Sequence, residues 1–178
     1  YQYDSIMHPP NQNILNSEYD FDGDGNLYIY GRDQILRKYD KSDRLLFETA
    51  LDGSGDSLLP KLKQAMCLRH SAQGFILISD VIDYDQDTTK MTLHKFDEDL
   101  KYHGKLPLNF TGIEWIRFDL SDNGDIYIFQ GISDFEDRII RIDLNGAVQA
   151  ERVIPYTGIL RIKGDTIYIT GRDSWNED

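Results

Sequence analysis

A single cysteine, no long apolar run and a shortage of positive charge bound this chain before any motif is read. Cys67 stands alone, so no intrachain disulfide can form and a disulfide-stapled secreted scaffold is excluded. It lies in Ala65-Met66-Cys67-Leu68 with nothing placed to lower its pKa, so a buried core thiol is expected rather than a reactive one. No stretch approaches the roughly 18 apolar residues of a membrane-spanning helix, and no basic-then-apolar leader opens the chain. Lysine and arginine number 19 against 31 acidic residues, a formal net charge of -12. That field repels phosphate backbones and anionic bilayers and attracts cations and basic partners, which sets aside nucleic acid and membrane insertion. Helical periodicity is almost absent; the best candidate, Ser57 to Arg69, contains Pro60 and reads as a connector with at most one or two turns. The chain starts at Tyr1 rather than Met, which fits a trimmed or processed chain and tips the expected compartment toward extracytoplasmic or secreted.

What is present is a repeat. Four short β-forming runs each follow a turn: Leu27-Tyr28-Ile29-Tyr30, Phe75-Ile76-Leu77-Ile78, Ile126-Tyr127-Ile128-Phe129 and Ile167-Tyr168-Ile169-Thr170. The steps between run starts are 48 (27 to 75), 51 (75 to 126) and 41 (126 to 167), within the range of solenoids, propellers and arrays. The turns Asp22-Gly23-Asp24-Gly25, Ser71-Ala72-Gln73-Gly74 and Ser121-Asp122-Asn123-Gly124 place a side-chain oxygen first and glycine fourth; Lys163-Gly164-Asp165-Thr166 shortens the motif to a hairpin loop. A second signature follows each run, in Leu36-Arg37-Lys38-Tyr39-Asp40, Leu93-His94-Lys95-Phe96-Asp97 and Ile139-Ile140-Arg141-Ile142-Asp143, alternating as half-buried strands do. Fourth runs span Leu45 to Leu51, Leu100 to Leu108 and Ala147 to Ile154.

Four antiparallel strands per unit predict an all-β, β-propeller-like fold. The units fall at 17–56, 64–108, 112–155 and, in part, 158–178, with 1–16 as an N-terminal segment or the tail of a preceding blade. That is about three and a half blades, expected to belong to a ring of six to eight; two such arcs closing one ring is the alternative. An open arc exposes blade edges through which copies could self-associate. The turn-Gly-Asn-Leu-Tyr-Ile stretch followed by Leu-x-Lys-Tyr-Asp resembles NHL-type and related six-bladed propeller repeats, from about Leu15 onward. The resemblance implies architecture but no single function, since such propellers include scaffolds, sensors, lactonases and lyases. The family often has Asp directly after the second strand; only Asp80 comes close, whereas Gly31, Gln130 and Gly171 depart.

Three features bear on chemistry. Asp20, Asp22, Asp24 and Asn26 have the alternate spacing of a calcium loop, with oxygen ligands for a hard cation and glycine for the bend. The match is incomplete, because Gly31 and Tyr28 stand where longer and shorter calcium loops need an acid, so a plain hairpin is the competing reading. The loops between second and third strands carry Asp33, then Asp80, Asp83, Tyr84, Asp85 and Asp87, then Asp134, Glu136 and Asp137, then Asp173, Glu177 and Asp178. These predict an acidic rim for a cation or basic peptide, or else ordinary solvated loop charge. Trp175 beside that rim is placed to stack on a sugar or peptide, while Trp115 reads as core. The histidines His8, His70, His94 and His103 form no metal spacing; His70 alone ends a first strand and could line the axis. No nucleophile elbow, phosphate loop or dinucleotide fingerprint is present. The expected function is a non-catalytic binding or scaffold module with an acidic loop face for a protein, peptide or glycan; the alternative is a metal-dependent, lactonase-like propeller hydrolase or lyase. A third reading makes the arc a structural part of a larger surface or envelope assembly.

Overall fold

Residues 18–53, 58–62, 65–85, 88–111, 115–133, 136–155, 159–164 and 166–170 are described by a computed structural model. All secondary structure among them is β. The first sheet is the meander β1 (Glu18–Phe21), β2 (Leu27–Tyr30), β3 (Ile35–Tyr39) and β4 (Leu45–Ala50). The second is β5 (Ala65–Ser71), β6 (Phe75–Asp85), β7 (Thr88–Asp97) and β8 (Tyr102–Thr111), and the third β9 (Trp115–Leu120), β10 (Ile126–Ser133), β11 (Glu136–Ile142) and β12 (Val148–Ile154). The strands β13 (Ile159–Lys163) and β14 (Thr166–Thr170) pair as a two-stranded fourth sheet. Every pairing is antiparallel. The first strands lie beside one another, β1 against β5, β5 against β9 and β9 against β13. That is the innermost row of a partial propeller, as expected from the repeat.

The apolar runs form strands because both faces of each sheet are covered. Alternate residues of β6 point to opposite sides. Ile76 and Ile78 join Tyr28, Leu36, Leu68 and Phe96 between the first and second sheets. Phe75 and Leu77 join Met91, Leu93, Phe118 and Ile128 between the second and third. A third cluster, Phe129, Ile139 and Ile154 with Ile162 and Ile167, lies between the third and fourth. Burying one such side chain contributes about 1.5–3 kcal/mol, so the three seams dominate the stability of the arc. Cys67 is in the second seam, 2% exposed; its Sγ donates to Phe118 O at 3.4 Å, and burial pushes its thiol up to about 11.

The turn chemistry repeats with the strands. Gly25, Gly74 and Gly124 have φ of +84°, +76° and +82°, the left-handed region that favours glycine, and their N–H groups donate to Asp22 O, Ser71 O and Ser121 O. The aspartate ending the second signature has a job of its own. Asp40 Oδ1 accepts Ser42 N–H and Arg44 N–H, Asp97 Oδ1 accepts Asp99 N–H and Lys101 N–H, and Asp143 Oδ1 accepts Asn145 N–H and Ala147 N–H. Each holds the turn into its sheet's outer strand.

Two elements differ from expectation. Within Ser57 to Arg69, residues 65–69 are strand β5, not helix, because Cys67 and Leu68 serve opposite seams. The acidic segment after Ile78 is not a loop: β6 and β7 continue together to the pair Asp85↔Thr88, so its backbone hydrogen bonds are made across the hairpin.

Candidate functional site

The row of first strands opens into a cleft of about 580 Å³ whose walls come from all four sheets. Glu18 and Asp20 of β1, Arg69 of β5, Arg117 and Asp119 of β9, and Arg161 of β13 supply its charged groups. A first strand has only one neighbour within its sheet, so its other edge presents unpaired N–H and C=O groups. Side chains of the preceding sheets answer that need. Asp20 Oδ2 accepts His70 N–H at 2.8 Å, joining the first sheet to the second. Asp119 Oδ2 accepts Ile162 N–H at 2.9 Å, joining the third to the fourth. Between them Arg69 Nε donates to Asp119 Oδ1 at 3.1 Å, with both side chains largely buried.

Three charged groups are left over. Arg117 and Arg161 are exposed and neither hydrogen-bonds nor ion-pairs with a described residue. Glu18 sits among the guanidiniums of Arg69, Arg117 and Arg161; burial raises its pKa and their attraction lowers it, with burial the larger effect. The cleft therefore combines an anchored frame, Asp20, Arg69 and Asp119, with donors that meet no hydrogen-bond acceptor among the described residues.

A smaller cleft, about 380 Å³, lies between residues 58–61 and one face of the second sheet. Asp80, Thr92 and His94 are buried on its floor, at 2%, 5% and 5% exposure. His94 Nδ1 lies 3.3 Å from Tyr102 Oη. Burial lowers the His94 pKa to about 4 against the attraction of Asp80, so this imidazole is neutral at pH 7.

The calcium assignment to Asp20, Asp22, Asp24 and Asn26 is corrected. Asp22 Oδ1 accepts Asp24 N–H and Asn26 N–H, while Oδ2 accepts Asn26 Nδ2 at 2.7 Å and Tyr28 Oη at 3.2 Å. Burial raises its pKa, but hydrogen bonds from Asn26 and Asp24 outweigh that and hold the carboxyl below the usual range. Asp20 is committed to Phe21 N–H and His70 N–H. These oxygens close a hairpin and a seam instead of facing an ion. Among the described residues no group of three or more His, Cys, Asp or Glu could hold a metal ion. His70 stacks on Tyr28 at 5.2 Å with its Nε2 3.2 Å from Glu98 Oε1, and His103 Nε2 lies 2.8 Å from Asp97 Oδ2. The described donor set thus does not fit a metal at the axis.

Only part of the expected acidic rim lies among the described residues. Asp33 pairs with Arg37 Nη2 at 2.6 Å, Asp80 is buried under the connector, and Asp83, Tyr84 and Asp85 lie along β6. Asp87, Asp134 and Trp175 lie outside the described residues, as do Asp173, Glu177 and Asp178. The structure instead brings together Glu18, Arg69, Arg117, Asp119 and Arg161, which no local motif marks. Their one signal is periodic: an arginine on successive first strands, at steps of 48 (69 to 117) and 44 (117 to 161).

No family model matches the chain, and no curated protein matches it. Solved structures do. Two single-residue variants of Synechocystis apocarotenoid oxygenase and a chimera of that enzyme with RPE65 each align with a TM-score of 0.52 at 14% identity. Each alignment covers 84% of this chain and 36% of the other. The chain thus spans about a third of the length of the structures it matches, and at this identity the likeness shows the fold alone. Those neighbours have the carotenoid-oxygenase fold, a seven-bladed propeller, which corrects the resemblance to six-bladed NHL-type repeats. The neighbours are catalytic proteins, which conflicts with the expectation of a non-catalytic binding or scaffold module. They are oxygenases, so the lactonase-like alternative gains nothing from them, nor does calcium.

Proposed function

We propose that this chain is the substrate-holding arc of a propeller enzyme, and that the substrate enters the cleft along the inner edges of β1, β5, β9 and β13. The observation that carries the reading is convergence: charged side chains from four successive sheets meet in one cleft of about 580 Å³. Ligand sites are concave, with a few convergent polar groups that orient the ligand. Arg69 is held by Asp119, and Asp119 by Ile162 N–H as well, so part of the wall is fixed before anything binds. The catalytic class of the apocarotenoid oxygenase neighbours supports an enzyme over a scaffold.

The test is ligand mapping. A fragment library is titrated into the isotope-labelled chain while backbone amide shifts are followed. Hits should cluster on residues 18–21, 68–70, 117–120 and 161–162. Hits confined to the outer strands or to the cleft over His94 would contradict the reading.

A further inference from the structure

The axial cleft contains more positive donor capacity than the described residues use. This is notable in a chain whose formal net charge is -12. Of three arginines lining it, Arg69 is satisfied, its Nε on Asp119 Oδ1 and its Nη1 on Leu68 O at 2.7 Å. Of three carboxylates, Asp20 and Asp119 hold backbone N–H groups of the neighbouring sheets. That leaves Arg117 and Arg161 facing the cleft, with Glu18 as the carboxylate among its described lining residues that is not committed to a seam. A guanidinium offers five N–H donors in a planar fork suited to carboxylate or phosphate oxygens.

We infer that Arg117 and Arg161 together form a site for an anionic oxygen group, a carboxylate or a phosphate, on the molecule that occupies the axial cleft. The inference rests on the proposed function in taking that cleft as the substrate site. It adds the substrate class: an organic anion, whose charged end is placed between β9 and β13. Glu18 plays the opposing part. Its carboxyl competes for the same donors, so it weakens anion binding and rejects molecules that lack a negative group strong enough to displace it.

The experiment uses three probes on the full chain: succinate, inorganic phosphate and neutral succinamide, followed by calorimetry and amide shifts. Succinate or phosphate should bind saturably and at least about tenfold more tightly than succinamide, a charge-assisted hydrogen bond exceeding a neutral one by that order. Whichever anion binds more tightly identifies the group as carboxylate or phosphate. Arg117→Gln and Arg161→Gln should each weaken binding about tenfold, and Glu18→Gln should tighten it severalfold. Arg117 and Arg161 are exposed, and an unchanged melting temperature verifies that each variant folds. Succinamide moving the inner-strand amides as strongly as succinate would overturn the anion inference and leave the cleft reading intact. Anion binding that survives the double arginine substitution would overturn it as well. Silence from all three probes would also overturn it, and the cleft reading itself falls only if the fragment library is silent too.

Discussion

Asp22 accepts four hydrogen bonds between itself and Tyr28, and what looks like an ion ligand in sequence is the clasp of a hairpin. Asp22→Ala should lower stability by about 1–2 kcal/mol, the scale of losing a few partly exposed hydrogen bonds, measured by chemical denaturation. Millimolar calcium should leave the melting temperature of the unsubstituted chain unchanged; a rise of several degrees would restore a calcium site. His94 gives a second prediction. Its folded pKa is about 4 against an ordinary 6.5, so between those values the unfolded chain takes up a proton that the folded chain refuses. Stability is therefore full above pH 6.5, falls as the pH drops through the window and levels off near 4, a loss of about 3 kcal/mol. His94→Gln should flatten that part of the curve. Asp22 and Asp33 have depressed folded values below the ordinary 3.8. Their contribution is present above that pH and is lost below it, so a second acid phase should remain in the variant.

Among the elements, the seams between sheets depend on single carboxylates. Asp119→Ala removes the acceptor of Ile162 N–H and leaves the guanidinium of Arg69, itself only 13% exposed, without its partner. The expected cost is about 3 kcal/mol, near the lower end for breaking a buried pair. Asp119→Asn should recover part of it, since an amide oxygen can still accept from one neighbour. Thermal unfolding of both variants checks the order. The strands themselves were legible: β-forming runs after glycine turns marked β2, β6, β10 and β14, because apolar pressure from both faces leaves continuous runs. The distal arms of β6 and β7 were not, since Asp83, Asp85 and Asp87 give the composition of a loop. Pro60 and Leu58-Leu59 gave the connector before β5 a weak helical look that tertiary packing overrode. The cleft was least legible of all. Its residues stand one or two per sheet, with steps of 49 (20 to 69), 48 (69 to 117) and 44 (117 to 161) between sheets, and only the stacking of first strands makes them neighbours.

For the whole molecule, everything rests on the four sheets standing side by side with β1, β5, β9 and β13 innermost. Tyr19 and Phe47 of the first sheet and Tyr168 of the fourth are exposed apolar groups. A measurement of amide hydrogen exchange at His70 and Ile162 tests the arrangement most directly. Both N–H groups lie on the free edge of their own sheet and are held only by a carboxylate of the preceding one. The account predicts slow exchange at both positions, lost at His70 in Asp20→Ala and at Ile162 in Asp119→Ala, with the amides inside each sheet still protected. Fast exchange at both in the unsubstituted chain would contradict the side-by-side inner strands, and with them the cleft.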